Sequence, residues 1–158
     1  MCGLGGIFNL DAKPVSHSLV QQMGEAIAHR GPDSMGSYVE DSIGFTHQRL
    51  AILDTSEKGA QPMKSRDGRY ILIFNGCIYN YQELRQKLRV KGHSFYSSTD
   101  TEVLVEGISA FGIDFLKELN GMFAIACWDK DQQQLYLSRD RYGIKPLYYW
   151  FNGKTIAF

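Results

Sequence analysis

The sequence has no excess of charge of either sign, since its 158 residues include 17 lysines and arginines and 17 aspartates and glutamates. The basic residues form no stripe, which gives little electrostatic support for binding to nucleic acid or to an anionic membrane surface. The chain also lacks an apolar run of membrane-spanning length and the basic and apolar segments of a secretory signal. These absences predict a soluble, cytoplasmic protein without nucleic-acid or membrane partners.

Cysteine is scarce, and its arrangement argues against two kinds of structural site. Cys2, Cys77 and Cys127 are odd in number, far apart and outside any CxxC motif, so neither a disulfide framework nor a zinc site is predicted. The four histidines form neither an HExxH motif nor an i, i+4 pair, so no metal is predicted. Neither GxxxxGK[ST] nor GxGxxG occurs, and we expect no cofactor in this segment.

The residues that are present predict one α+β domain over residues 1–158. Hydrophobic residues make up 44% of the chain and aromatic residues 13%, which is enough for a packed core. The patterns run in the order strand, helix, several strands, two helices and strands again, with mainly hairpin connections. The final strand pattern, TIAF, has no closing turn behind it, and we expect the chain to be one part of a longer polypeptide.

Apolar spacing and end signals predict three helices. Leu19, Met23 and Ile27 would form the buried stripe of the first. The second lies in NYQELRQKLRVKG, and the third begins at a capping box between Thr99 and Glu102. The aromatic residues of YNY and LYYW are predicted to be core and strand positions.

The cysteine in second position suggests nucleophilic chemistry. A thiol near its unperturbed pKa of about 8.5 is mostly protonated at neutral pH, so a cysteine nucleophile needs a base. Removal of Met1 would free the α-amine of Cys2, with an ordinary pKa of roughly 7.7–8.0, to take the thiol proton. Read alone, however, the position favours a cysteine that stands by chance before an ordinary strand.

Four further residues are suited to acyl transfer, although each also has an ordinary structural explanation. Asn75 and Gly76 offer a side-chain NH2 and an unobstructed backbone N–H as donors to an oxyanion, whereas Asn-Gly is also a common turn. Arg49 can hold a carboxylate bidentately or be a surface residue. Asp100 can cap a helix or face the ammonium group of a ligand.

Seven motifs distinguish the chain when they are taken together. They are MCGLGGIFN, HRGPDS, QRLAILD, FNGxIYNYQELR, STDTEVL, LNGMFAIACWD and RDRYGIKPLYY. In order and spacing they resemble the class II glutamine amidotransferase domain, most closely the N-terminal glutaminase domain of glutamine-hydrolysing asparagine synthetase. The resemblance runs from Met1 to Phe158. It implies the N-terminal-nucleophile hydrolase fold, a four-layer αββα sandwich with two mainly antiparallel sheets.

The resemblance implies hydrolysis of glutamine to glutamate and ammonia. Cys2 would attack the side-chain amide to form a thioester, with its own α-amine as the base. Asn75 and the N–H of Gly76 would form the oxyanion hole. In RDRYGIKPLYY, Arg139 and Asp140 would be structural residues that tie strands together.

The resemblance also implies contacts for the rest of L-glutamine. Arg49 would bind the α-carboxylate, and Asp100 would bind the α-ammonium. Backbone near Leu50 and Ile52 would line the pocket. The segment 29–33 would be a structural loop beside the site.

In this family the domain is usually fused to a synthetase domain that uses ATP and Mg to activate a carboxylate and receives the ammonia. The resemblance therefore implies a covalently linked synthetase beyond these residues, most simply one that converts aspartate to asparagine. It also implies that the domain continues past the last strand, so that the chain is incomplete at its C-terminus. A homodimer is one possible assembly.

Cys77 departs from the family pattern, which usually has Glu at this position to help hold the glutamine α-ammonium. A thiol is a weak hydrogen-bonding group without charge at neutral pH, so we expect weaker glutamine binding. In the family fold Cys77 would lie near Cys2. A reversible disulfide between the two thiols is then an alternative to an inert, packed cysteine.

Three functions remain open on the sequence alone. The first is a glutaminase domain of the asparagine-synthetase kind, and the second is a catalytically weak or inactive domain kept for structure or regulation. Cys77 favours the second, whereas the retained nucleophile and oxyanion donors count against it. The third is an N-terminal-cysteine hydrolase for another amide, which the pairing of Arg49 with Asp100 disfavours because that pair suits the two charges of an amino acid.

Overall fold

A computed structural model describes all residues from Met1 to Phe158 and contains three α-helices and nine strands beside short 3₁₀ segments. The helices are α1 His17–Ala26, α2 Tyr81–Val90 and α3 Asp100–Phe111. The strands are β1 Gly3–Asn9, β2 Ser34–Glu40, β3 Ile43–Arg49, β4 Met63–Lys64, β5 Tyr70–Ile78, β6 Gly121–Asp129, β7 Gln134–Arg139, β8 Trp150–Phe151 and β9 Thr155–Ala157.

The strands form two antiparallel sheets. The first has five strands in the order β2-β3-β1-β9-β8, and the second has four in the order β4-β5-β6-β7. In the five-stranded sheet Gly3 lies opposite Gln48, so Cys2 and Arg49 stand at the same end of neighbouring strands. The four-stranded sheet is centred on the pairing of β5 with β6.

The layers of the fold are helix, sheet, sheet and helix. Large apolar side chains of β3, β5 and β6 meet between the two sheets, among them Phe45, Ile73 and Trp128. On the other face of the four-stranded sheet, α2 and α3 pack through a larger cluster that includes Leu84 and Leu104. Burial of each such side chain stabilises the fold by about 1.5–3 kcal/mol. Because α1 covers the outer face of the five-stranded sheet, the predicted α+β sandwich of four αββα layers is confirmed.

The second and third predicted helices are confirmed, together with part of their end signals. The leucines of α2 are fully buried. At the start of α3, the Thr99 hydroxyl oxygen accepts a hydrogen bond from the N–H of Glu102 at 3.1 Å. The reciprocal bond of a capping box is absent, because the Glu102 carboxylate accepts from the N–H groups of Tyr96 and Ser97 instead.

The predicted stripe of the first helix is wrong in part. Leu19 is 39% exposed, and the buried positions of α1 are Val20 and Gly24. The helix approaches β3 so closely that a Cβ at Gly24 would overlap the hydroxyl of Thr46. The face of α1 that contacts β3 is therefore determined by the small size of Gly24, which the spacing of apolar residues does not indicate.

The prediction that the aromatic residues of YNY and LYYW are core positions is wrong for most of them. Tyr79, Tyr148, Tyr149 and Trp150 are all exposed. In LYYW only Trp150 lies in a strand. That strand, β8, has two residues and stands at the edge of its sheet, with a neighbouring strand on one side only.

Strand β2 was not predicted, because its sequence SMGSYVE is mostly polar and its side chains are only partly buried.

Candidate active site

A cavity of about 190 Å³ lies where the ends of β3 and β5 meet the start of the chain and the first turn of α3. Its lining includes every residue that the sequence analysis proposed for catalysis or substrate binding: Cys2, Arg49, Leu50, Ile52, Asn75, Gly76, Cys77 and Asp100. The fold thus brings together residues that are far apart in the sequence.

The thiol of Cys2 lies against the backbone of Leu50. The N–H of Leu50 donates to Sγ at 3.3 Å, and Sγ lies 3.6 Å from the carbonyl oxygen of the same residue. A donor directed at the sulfur is favourable for a thiolate. The side chain is half-buried, so this position suits a nucleophile that a small substrate can reach from the cavity.

The loop at 29–33 packs against the end of β3 beside the cavity. The N–H of Asp33 donates to the carbonyl oxygen of Arg49 at 3.1 Å, and the Asp33 carboxylate accepts from the N–H of Ala51 at 2.7 Å. Gly31 approaches the backbone of β3 so closely that a Cβ would lie 2.5 Å from it. The predicted structural role of this loop is confirmed.

Arg49 is buried in the cavity wall, where the protein uses part of its hydrogen-bonding capacity. Nη1 donates to the carbonyl oxygen of Ser56 at 2.7 Å, and Nη2 donates to that of Asp54. A Cβ at Gly59 would overlap Nη2, so the glycine makes room for the guanidinium. Because a guanidinium has five N–H donors, donors remain for the carboxylate of a ligand.

The N–H of Gly76 points away from β6, as the alternation of the ladder shows. The N–H groups of Tyr79 and Lys130 donate to the carbonyl oxygens of Asn120 and Arg69, so odd-numbered residues of β5 exchange hydrogen bonds with β6. Even-numbered residues direct their N–H groups to the opposite edge. The N–H of Gly76 is therefore free of the β6 ladder.

The opposite edge of β5 leaves the N–H of Gly76 without a side-chain acceptor. The N–H of Phe74 donates to Gln61 Oε1 at 2.6 Å, and the N–H of Ile78 donates to Asp100 Oδ2 at 3.0 Å. Gly76 lies between these two positions and lines the cavity. Its N–H and the side chain of the neighbouring asparagine are thus the two donors available to an oxyanion at this point.

Asp100 supplies the cavity wall with a carboxylate, opposite in charge to Arg49, and Cys77 lies near it. Asp100 begins α3, and its burial raises the pKa of the carboxyl, although the N–H of Ile78 offsets part of the effect. Cys77 lies on the same face of β5 as Asn75 and is half-buried. Burial, followed by the nearby Asp100 carboxylate, raises the pKa of the Cys77 thiol. Cys77 and the other thiols are all free.

Asp140 fulfils the structural role predicted for RDRYGIKPLYY, whereas the side chain of Arg139 does not. The Asp140 carboxylate accepts hydrogen bonds from four backbone N–H groups, those of Phe123, Tyr142, Ile144 and Lys145. Burial alone would raise the pKa of this carboxyl, but the four donors lower it to about 2. Arg139 joins its neighbour strand only through backbone pairing.

Lys145 is a lining residue that the sequence analysis missed. It is buried, and its Nζ donates to Sδ of Met1 at 2.7 Å. The sequence analysis predicts only a structural role for its motif, RDRYGIKPLYY. No spacing signal distinguishes this lysine from the many exposed ones. Only the turn that Asp140 holds directs it into the cavity.

No group of three or more histidine, cysteine, aspartate or glutamate side chains is arranged to hold a metal ion. None of the helices combines the length and the apolar character that crossing a membrane requires.

Sequence comparison gives a family and several curated relatives. The family described as glutamine amidotransferase domain matches residues 1–158. Asparagine synthetase [glutamine-hydrolyzing] 1 of Bacillus subtilis is 45% identical over 161 residues, which covers 100% of this chain and 25% of that protein. Asparagine synthetase B [glutamine-hydrolyzing] of Escherichia coli is 35% identical over 149 residues, covering 94% of this chain and 26% of that protein. The chain thus spans about a quarter of the length of these relatives.

Structure comparison agrees on the fold. The glutamine phosphoribosylpyrophosphate amidotransferase from Bacillus subtilis superposes with a TM-score of 0.82 over 99% of this chain and 41% of that chain. The two sequences are only 20% identical over the match, so the likeness concerns the arrangement of the two sheets and their helices.

Proposed function

The chain belongs to the glutamine amidotransferase domain family and is an enzyme of that class, and on this premise we propose that it hydrolyses L-glutamine with Cys2 as the nucleophile. One observation carries the proposal. The thiol of Cys2, the donors of Asn75 and Gly76, and the charged pair Arg49 and Asp100 line a single cavity.

The proposed reaction begins with a processed N-terminus. Once Met1 is removed, the α-amine of Cys2 takes the proton of the thiol, and the sulfur forms a bond to the amide carbon of glutamine. The amide oxygen becomes an oxyanion, which the side-chain NH2 of Asn75 and the N–H of Gly76 stabilise. Each donor of this kind contributes about 10²–10³-fold to the rate in other acyl-transfer enzymes.

The second half of the reaction releases both products. The ammonium group on Cys2 returns its proton to the leaving nitrogen, the C–N bond breaks, and ammonia departs from a thioester. Water then attacks the thioester carbon while the same amine accepts a proton from that water. The C–S bond breaks, glutamate leaves, and the thiol regains its proton.

Recognition of the substrate would rest on its two charges. The free N–H donors of Arg49 suit the α-carboxylate, and the buried carboxylate of Asp100 suits the α-ammonium. Leu50 and Ile52 would line the path between them. A cavity of about 190 Å³ suits a small amino acid rather than a peptide.

We propose further that the ammonia serves an amide-forming synthetase linked to this domain. The relatives named asparagine synthetase support this, because the chain matches only about a quarter of their length. Such a synthetase would use ATP and Mg to activate a carboxylate, with aspartate as the first candidate. A cytoplasmic location accords with free cysteines.

The alternative is a catalytically weak or inactive domain, and Cys77 is the residue that favours it. A neutral thiol at this point leaves the ammonium group of glutamine with Asp100 as its one acidic partner in this part of the wall. Under this alternative the cavity would persist without turnover, and ammonia would reach a partner from solution.

The mass of the full chain, before and after treatment with a diazo-ketone analogue of glutamine, distinguishes the two. We expect a mass without Met1 and a single adduct that disappears in Cys2→Ala. Cys127→Ala is the matched control, because Cys127 is fully buried in the core and away from the cavity. Retention of Met1, or no adduct on the folded protein, would favour the inactive alternative.

A further inference from the structure

Lys145 is a buried cation that has no anionic partner. The residue is 6% exposed, and no carboxylate lies within 4.0 Å of its Nζ. The one hydrogen bond of Nζ is to Sδ of Met1, and a thioether is a weak acceptor. Burying an ammonium group without a good partner costs stability, so Lys145 is not explained by the stability of the fold.

The turn that carries Lys145 is held firmly. Its N–H donates to Asp140 Oδ2 at 2.9 Å, and the N–H of Phe123 on β6 donates to the same oxygen at 3.1 Å. The backbone of Lys145 is therefore anchored to the four-stranded sheet. From this anchor its side chain extends to the start of the chain.

The ammonium group of Lys145 lies close to the amine that Met1 removal would create. Five covalent bonds separate Sδ of Met1 from the backbone nitrogen of Cys2, so these two atoms are at most roughly 6–7 Å apart. Since Nζ lies 2.7 Å from Sδ, it is within about 9 Å of that nitrogen. Removal of Met1 would leave Nζ without its hydrogen bond and within about 9 Å of the new N-terminus.

We propose that Lys145 is a positioning residue of the Cys2 centre. Its ammonium charge makes it easier for the amine and the thiol of Cys2, taken together, to lose their first proton to solvent. The inference rests on the proposed function. A neighbouring positive charge opposes an ammonium on Cys2 and stabilises a thiolate, so its effect has the same sign whichever of the two groups loses the proton. At about 9 Å, the largest separation that the chain geometry allows, the charge shifts the pH of half-loss by about 0.3 unit at an effective dielectric constant of about 80 and by about 1.4 units at about 20.

Other charged and titratable groups also face this centre. They are Arg49 on β3, Asp54 in the following loop, Cys77 on β5 and Asp100 on α3, with His29, Arg30 and Tyr148 beside an adjoining cavity. All of them are retained when Lys145 is replaced. The difference in pH dependence between Lys145→Arg and Lys145→Met therefore isolates the effect of the charge at this one position.

The test is the pH dependence of glutaminase kcat/KM in the full chain, with Lys145→Met, Lys145→Gln and Lys145→Arg. Methionine has a similar length and no charge, so it should keep or raise the Tm. We expect the midpoint of the acid limb to rise by about 0.5–1 pH unit in the Met and Gln variants and to return in Lys145→Arg. Lys117→Met is the control, because Lys117 is exposed and pairs with Asp114.

Alkylation of Cys2 by iodoacetamide across the same pH range separates this inference from the proposed function. The reaction needs no glutamine, and we expect the same displacement of its midpoint. Unchanged midpoints in folded Lys145→Met and Lys145→Gln would overturn the role of Lys145 even if the enzyme is active. A parent chain that releases no glutamate would refute the proposed function, while the alkylation profile would still decide on Lys145.

Discussion

Replacing Cys77 by glutamate tests whether this position limits glutamine binding. Cys77 lines the cavity on the face of β5 that carries Asn75. A glutamate here would add a second carboxylate beside Asp100, where the ammonium group of glutamine is proposed to bind. We expect Cys77→Glu to lower the KM for glutamine and to leave kcat nearly unchanged, because the nucleophile and the oxyanion donors are untouched.

The magnitude follows from the charges around this position. A hydrogen bond to a charged group is worth about 1.5–3 kcal/mol, which corresponds to about a ten- to hundredfold lower KM. The Asp100 carboxylate is near enough to raise the pKa of the Cys77 thiol, behind the larger effect of burial. Two carboxylates would therefore repel each other in the empty enzyme, and the bound ammonium group would relieve that repulsion. We accordingly expect a lower Tm without glutamine and a larger rise in Tm when glutamine is added.

The assay is glutamate release as a function of glutamine concentration, with Cys77→Gln as the matched control. Glutamine has the same length as glutamate but no charge, so the control should change KM by less than about threefold. A KM for Cys77→Glu within twofold of the parent value would refute the reasoning, and so would an equal gain in Cys77→Gln.

Three further substitutions test how the structure holds the site. Gly76→Ala would overlap the carbonyl oxygen of Met122; we expect a loss of about 1–3 kcal/mol in the free energy of unfolding by urea titration and a lower kcat. Gly59→Ala would displace the guanidinium of Arg49, so KM should rise more than kcat falls in the glutaminase assay. Asp140→Asn should lower the Tm by roughly 4–8 °C at pH 7. Because the pKa of Asp140 is lowered to about 2, its contribution is present above about pH 4. The Tm difference from the parent should shrink as the pH falls from 4 to 2.

The parts of the site that the sequence predicted are those with a local cause. Asn75 and Gly76 appear in the sequence as Asn-Gly at the end of an apolar run, although the contact with Met122 that leaves no room for a Cβ at Gly76 comes from a distant strand. Thr99 caps α3 by a bond to a residue three positions away. Cys2 is conspicuous by its position, so the proposed nucleophile could be named without knowledge of the fold.

The parts that escaped prediction depend on contacts between distant segments. Lys145 lies in the cavity because Asp140 ties its turn to β6, and no periodic pattern reports a turn held by side-chain bonds to the backbone. The contact face of α1 was misassigned because Gly24 is selected by close approach of β3 rather than by hydrophobicity. Exposed Tyr148 shows the same limit, since aromatic content does not reveal which faces another element covers.

The proposed nucleophile and the proposed oxyanion donors belong to different sheets, and this division decides what controls the geometry of the site. Cys2 precedes β1 in the five-stranded sheet, whereas Gly76 lies in β5, a central strand of the other. No hydrogen-bonded ladder joins the two sheets, so their separation is set by the side chains packed between them. Those side chains include Phe45 and Trp128, which are large and fully buried. Because such a core is close-packed and resists compression, it fixes the distance from the sulfur to the oxyanion donors more tightly than the surface loops around the cavity do.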